Sequence, residues 1–494
     1  MPNKGFYNLT GGTNLVASAL NMNSSENKTD WADSENMEFF GQGGIAKMNG
    51  NEKFIEIEDA KILGITSYKK GPDDYLVFVY GDATEGHLCI ADVVSKTYTV
   101  VKSGLDKNAR CNFQSHLNGV VVANGVDDPF MYIKDGTPSI INTNIRYQRG
   151  VSGVAMASFK GRLFMSVPDK GTIYYSALGE VDNWIRESDA GYVENFHGST
   201  APITAMAPYG EGLAIYRDNQ VYMLSGSGPS DFVIEPFADK GSLSCYGIAN
   251  YDNKQLFYSH GIFALEFSSL HQVQMSREFS LKINPAFKTL DADRINETTA
   301  VLYQKNRQVW FYFPEEGETD LSICWVMDRK DLKNIAWYKR RATPITCATV
   351  YKDNIYTGTS DGRILIEDTG DTLDGEVFEG YWYSPWFMFN DSRLKSVETG
   401  LDILFDGSKT GNTELRLRYN TVETKVRRKQ INTTSGQLMV WGKDPWGSRK
   451  WKDNRSLIKR VNVPGVFTSI QIGFYSATQF AINGFAFFDI MLEE

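Results

Sequence analysis

A strand–turn–strand pattern recurring along most of the chain limits what it can fold into more than any other feature. Five segments share one plan: RCNFQSHLNGVVVANGVDDPFMYI from Arg110, GVAMASFKGRLFMSVPDKGTIYYS from Gly153, ITAMAPYGEGLAIYRDNQVYML from Ile203, YGIANYDNKQLFYSHGIFAL from Tyr246 and ITCATVYKDNIYTGTSDGRILI from Ile345. Each opens on small and apolar residues and reaches an aromatic or a histidine: His116, Phe159, Tyr209, Tyr251 or Tyr351. A tight turn of Asn, Gly, Lys, Asp or Glu follows, then a second apolar run, another Gly/Asn/Asp turn and a third run. ILGITSYKKGPDDYLVFVYG from Ile62 and TTAVLYQKNRQVWFYFP from Thr298 fit the plan more loosely. Hairpin turns at such short spacing mark strands.

A repeat of roughly 35–50 residues built only of strands suits propeller blades, each a small antiparallel sheet. The expected fold is therefore all-β. Residues 1–55 form an N-terminal strap and first strands, 56–389 a β-propeller of about seven blades (give or take one), and 390–494 a separate β-sandwich-like domain. An N-terminal strand that completes the last blade would remove an open edge prone to aggregation. The competing reading is a pair of β-sandwiches with coincidental turn spacing. The recurrent Trp-Asp dipeptide, the kelch double glycine and the sialidase Asp box are not found, beyond a partial SDG at 360–362.

Charge is divided unevenly. The net charge of the 494 residues is −9, yet residues 391–460 hold 16 Lys+Arg against 8 Asp+Glu. Residues 1–390 carry −14, which sets an acidic body against a basic segment and suggests two surfaces with different partners. Within the basic segment, Lys425, Arg427, Arg428 and Lys429 form one cluster. Arg449 and Lys450 lie beside Trp446 and Trp451 in a second. Arginine with tryptophan is enriched at the centres of protein–protein interfaces. In LRLRYN and TKVRRKQ charged and apolar residues alternate or nearly so, the pattern of a sheet with one solvated face.

Chemistry-bearing motifs are sparse. LTGGTN at 9–14 lacks the Lys-Ser/Thr of a phosphate loop. The carboxylate pairs Asp73/Asp74 and Asp127/Asp128 read as turn formers, although paired carboxyls are also what a glycosidase requires. His260 in YSHG lacks nucleophile-elbow spacing and reads as a turn or core histidine. The five cysteines (89, 111, 245, 324, 347) include no CxxC pair and read as scattered buried thiols. No catalytic group, cofactor or metal is expected, and the expectation is a non-enzyme. No apolar run approaches the ~20 residues of a membrane span and no signal peptide is visible, so synthesis in a cytoplasm and no membrane partner are expected.

GGTN at 11–14, SEN at 34–36 and GGIAKMNGN at 43–51 together resemble the opening of bacteriophage tail nozzle proteins. These belong with the packaged-DNA stabilisation proteins of short-tailed phages, the tail tubular protein B type. DNWIRESDAGYVENFHGSTAPITAMAPYGEGLAIYRDNQVYMLSG (182–226) and KGSLSCYGIANYDNKQLFYSHGIFALE (240–266) are similar to the family's middle. TGTSDGRILIED resembles its last blade and SRLKSVETGLDILFDGS the start of its C-terminal platform. KMNG at 47–50 departs from the more basic run the family has there.

The resemblance implies a structural virion protein of a phage tail, made in the host cytoplasm. Its copies would form a ring, a hexamer in keeping with the family, that meets the portal or adaptor ring and other tail proteins. Viral DNA would pass through without sequence-specific binding and be retained until ejection. Gly11, Gly12 and Asn14 become part of a strap, with glycine supplying close approach and φ > 0. The two basic clusters become candidate subunit or partner contacts. The alternative is a carbohydrate-binding or carbohydrate-cleaving propeller used in host attachment, with Trp382 and Trp386 exposed for stacking on sugars.

Overall fold

The computed structural model describes residues 6–25, 28–41, 43–134, 139–140, 153–166, 171–184, 189–194, 196, 201–267, 272–329, 335–389, 392–409, 411–433 and 457–493. These residues form an all-β protein of many small antiparallel sheets, and no helix among them is long and apolar enough to cross a membrane.

Seven four-stranded sheets follow one another along the chain, and each of the seven repeat segments opens one of them. Sheet 1 contains Lys61–Lys70, Asp73–Gly81, Gly86–Asp92 and Thr97–Leu105, and sheet 2 begins at Asn112–His116. Sheets 3, 4, 5 and 6 begin at Met156–Phe159, Ala205–Tyr209, Ala249–Tyr251 and Thr299–Tyr303. Sheet 7 takes Cys347–Tyr351, Asn354–Gly358 and Arg363–Glu367 from its own repeat. Its fourth strand is Asn51–Glu56, which comes from the other end of the chain and pairs with Arg363–Glu367.

The aromatic of the repeat has a structural reason. His116, Phe159, Tyr209, Tyr251 and Tyr351 each end a first strand, directly before a two-residue turn. In three of these turns both central residues have positive φ: Lys160/Gly161, Asp252/Asn253 and Lys352/Asp353. That twist matches the flanking strands. The residue at the turn then reaches the next sheet. Tyr68 donates to the Asn118 carbonyl (2.7 Å), and His116 Nδ1 meets Ser158 Oγ (2.8 Å). Tyr209 donates to the Asn253 carbonyl (2.6 Å) and Tyr251 to that of Arg307 (3.3 Å). Tyr303 donates to Asp368 (2.9 Å), and Tyr351 in sheet 7 donates to the Asp74 carbonyl of sheet 1 (2.8 Å).

The apolar cores repeat this cycle. Separate clusters join sheets 1 and 2, 2 and 3, 3 and 4, 4 and 5, and 5 and 6, and another joins 7 to 1 through Phe54, Tyr356, Ile62 and Phe78. With a neighbour on each face, the second strands cannot alternate inward and outward. Gly119–Ala123, Arg162–Ser166, Gly212–Tyr216 and Gln308–Pro314 are accordingly buried throughout.

Among the described residues there are also two two-stranded sheets, Ser24–Ser25 with Lys28–Thr29 and Thr372–Leu373 with Glu376–Val377, and two five-stranded ones. Sheet 8 runs, in spatial order, Asp33–Glu35, Gly380–Tyr383, Ile470–Ser476, Asn412–Tyr419, Val422–Asn432. Sheet 9 runs Met37–Phe40, Gly44–Lys47, Ala481–Leu492, Lys395–Phe405, Leu457–Val461. Their shared core includes Trp382, Phe474 and Phe485, and it continues without a break into Trp310 and Tyr338 of sheet 6. Residues before 60 thus give strands to sheets 7, 8 and 9. A buried ion pair fastens them: Arg340 donates to Glu367 (2.9 Å) and to the carbonyls of Asn49 and Gly50. Glu367 also accepts from Asn51 and Thr357.

Candidate interaction surface and axial cavity

The strap residues are set inside the molecule. Gly11 donates its N–H to the Thr29 carbonyl, and a Cβ there would lie 2.2 Å from that same oxygen. Gly12 has φ +70° and lies against Ala336 and Trp337 of sheet 6. Asn14 is buried; its Nδ2 donates to Asp30 (2.9 Å), a carboxylate that Lys282 also reaches (2.8 Å). Trp31 donates to the Leu9 carbonyl and stacks on Tyr338 (ring centroids 5.9 Å apart). The two glycines and the asparagine therefore let extended backbone pass between sheet 6 and sheets 8 and 9 of the same chain.

Lys425, Arg427, Arg428 and Lys429 are all exposed, on Val422–Asn432 at the edge of sheet 8. Asn412–Tyr419 alternates as its sequence suggests, with Leu415 and Leu417 inward. Val422–Asn432 does not: its side chains are exposed almost to its end, and among the described residues it has a strand partner on one side only. In register, Arg428 stands opposite Arg416 and Arg427 opposite Leu417. Glu414 lies between the first two, accepting from Arg416 Nε (2.6 Å) and 3.8 Å from Arg428 Nε. The guanidinium groups of Arg416 and Arg418 each lie 3.8 Å from a ring centroid, those of Tyr475 and Tyr383. Glu414 thus serves two of the arginines on a face stiffened by stacking. Trp446, Arg449, Lys450 and Trp451 lie outside the described residues. Trp382 and Trp386, expected to be exposed, are both buried; Trp382 packs on Phe474 and Phe485 in the core. They present no stacking surface for sugar. His260 is an exposed turn residue with φ +54°.

A cavity of about 580 Å³ is lined by residues of all seven sheets or of the segments leading into them. A second, of about 190 Å³, adjoins it. Arg110, Cys245 and Tyr246 border both and separate them. The Arg110 guanidinium lies 3.7 Å over the Tyr246 ring and donates to the Glu297 carbonyl (2.6 Å) and to Thr299 Oγ1 (2.6 Å). Sequence reading passed over both residues, although the repeats hold a signal. The openings at Ile62, Gly153, Ile203 and Ile345 are small or aliphatic, whereas Arg110 and Tyr246 break that rule. Cys111, Cys245 and Cys347 also border the smaller cavity, and burial raises all three thiols, that of Cys245 to about 11.

A Ser–His–Asp contact series lies elsewhere, in the outer part of sheet 1. His87 Nε2 meets Asp82 (2.9 Å) and His87 Nδ1 meets Ser103 Oγ (2.8 Å). The backbone N–H of Glu85 and the N–H and hydroxyl of Thr84 hold the Asp82 carboxyl below the usual carboxylate range. Neither cavity reaches these residues. The series ties a turn to the sheet's outer strand.

No family model and no curated protein matches the chain. Among solved structures, it is similar to the computationally designed Ika8 protein, at 13% identity over 64% of this chain and 99% of that one, with a TM-score of 0.37. It is also similar to a chain of the Mitotic Checkpoint Complex, at 10% identity over 65% of this chain and 89% of that one, with a TM-score of 0.38. At those scores neither likeness carries an argument about this chain.

Proposed function

We propose that the chain is a structural subunit of a bacteriophage tail nozzle: a seven-bladed β-propeller bearing a β-sandwich-like platform, assembled with its own copies into a ring on the DNA exit path. The observation that carries this reading is the contrast between a closed axis and an exposed basic edge. The axial space is divided by Arg110 and Tyr246, and 580 Å³ equals the volume of about 20 waters at ~30 Å³ each. Nucleic acid that traverses the assembly must pass between subunits, not through one.

A closed ring needs two different faces per subunit, repeated by rotation. The acidic body and the Val422–Asn432 edge are candidates of opposite sign. Lysine and arginine on an edge strand oppose backbone pairing with another chain, so a partner is met through side chains. An acidic lumen repels the duplex and spares it the salt-dependent grip of lysine and arginine on phosphates. In this reading the protein is no enzyme and needs no cofactor. It resides in the virion tail, where it contacts the portal or adaptor ring and other tail proteins.

Light scattering and negative-stain imaging of the purified full chain test the proposal. A ring with a central opening is expected. Charge reversal at Arg427, Arg428 and Lys429 together should weaken assembly at least ~10-fold, about 1.4 kcal/mol, with an unchanged melting temperature. A monomer at tens of micromolar, or retention of duplex DNA by the ring at physiological salt, would refute it.

A further inference from the structure

The larger axial cavity has the attributes of a ligand site, and this inference is independent of the nozzle reading. Its size falls in the range of small-molecule pockets, roughly 300–1,000 Å³. Because every sheet contributes to its wall, its shape is set by the whole ring and not by one loop.

The charges on that wall are not evenly matched. Arg294 is paired twice with Glu297, through Nη2 (2.6 Å) and Nε (3.2 Å), and it also lies near Asp291 and Asp320. Asp320 accepts the hydroxyl of Ser360. Arg110 differs: its partners are a carbonyl, a hydroxyl and an aromatic face, none of which carries a negative charge. Lys61, an exposed residue of the same wall, forms no ion pair among the described residues. Asn108 and Asn124 complete this side. Asp127, behind it, is occupied by the side chain of Asn124 (2.6 Å) and the N–H of Asp106 (2.7 Å). Two cations without carboxylate partners, next to amides, in a concave and rigid wall, form an oxyanion-binding arrangement.

We infer that the axial cavity binds a small polar molecule through a phosphate or carboxylate group held between Lys61 and Arg110. The molecule enters from the Lys61 side, and the stacked Arg110–Tyr246 pair is the floor on which it rests.

Calorimetric titration of the full-length protein with inorganic phosphate, and separately with citrate, tests this at constant ionic strength set with chloride. Working below 10 mM keeps the general stabilising effect of these salts small. Saturable binding of one of the two anions is expected, and whichever binds identifies the group. Lys61→Met should weaken binding about tenfold while the protein stays folded, and Arg110→Gln should abolish it. Should Arg110→Gln fail to fold, Lys61→Met still decides. Lys305→Met, at an exposed residue that lines neither cavity, should bind as the wild type does. No saturable binding of either anion overturns the inference. So does equal binding by wild type and Lys61→Met, or an equal loss in Lys305→Met, which would signify attraction by net charge alone.

Discussion

Lys47 shows how one residue can be held against its own chemistry. It lies at the end of Gly44–Lys47 in sheet 9, with no exposed surface, and its Nζ has no hydrogen-bond acceptor among the described residues. The ammonium sits 3.5 Å from the centroid of Phe378. Burial, together with the nearby charges of Lys409 and Arg340 and against the attraction of Asp371, lowers the pKa to about 8. In the unfolded chain the amine titrates near 10.4. Between pH 8 and about 10.4 the unfolded state therefore holds more protons than the folded one, and stability rises with pH across that window. Lys47→Met keeps the length and the aromatic contact and removes the charge. It should stabilise the protein at pH 7 by on the order of 2 kcal/mol and flatten the rise between pH 8 and 10, as read from urea unfolding. A loss of stability in this variant would mean that the cation has a partner the geometry does not reveal.

At the scale of the element, the informative unit is the aromatic residue before each hairpin turn. The sequence reveals that such a residue recurs, since turn and aromatic are neighbours in the chain. Its bond to the following sheet is not legible there, because the acceptor lies 44 positions away for Tyr209 and 277 for Tyr351. Tyr209→Phe and Tyr351→Phe each remove one hydrogen bond and leave the ring in place. Each should cost about 1 kcal/mol, and the double variant the sum, because the two sites share no partner. Chemical denaturation of the four proteins measures this. The basic edge strand teaches a related point. Alternation in LRLRYN foretold one buried face and one wet face, and Asn412–Tyr419 has them. TKVRRKQ looked alike but became an edge, and edge position is a property of the sheet, not of the strand.

At the scale of the molecule, the contribution of the first 56 residues is decisive. Asn51–Glu56 completes sheet 7, whose first strand packs on sheet 1, and the Arg340–Glu367 pair ties sheet 7 to sheet 6 on its other side. A protein lacking residues 1–56 loses that strand, two strands of sheet 9 and one of sheet 8. Cys89, Cys111 and Cys347 border the opened junction, and in the intact chain they are buried with raised pKa values, Cys89 at about 12. Buried thiols of this kind are inert. A thiol reagent at pH 8 should leave all three unmodified in the native protein and modify them within minutes in the truncated one. Continued protection after truncation would show that sheets 7 and 1 stay packed without the N-terminal strand.

What the sequence determined by itself was the class of structure and its unit: strands, their turns, and seven repeats that each open a sheet. Those depend on residues within about 25 positions of one another, where turn chemistry and apolar spacing act directly. Tertiary structure alone decided that the strands before residue 48 would join sheets 8 and 9, that Trp382 and Trp386 would be core, and that Arg110 would meet Tyr246. Each of these joins residues more than 90 positions apart in the chain. Such pairings are selected by the shared burial of whole faces, and no local pattern encodes which distant face will arrive.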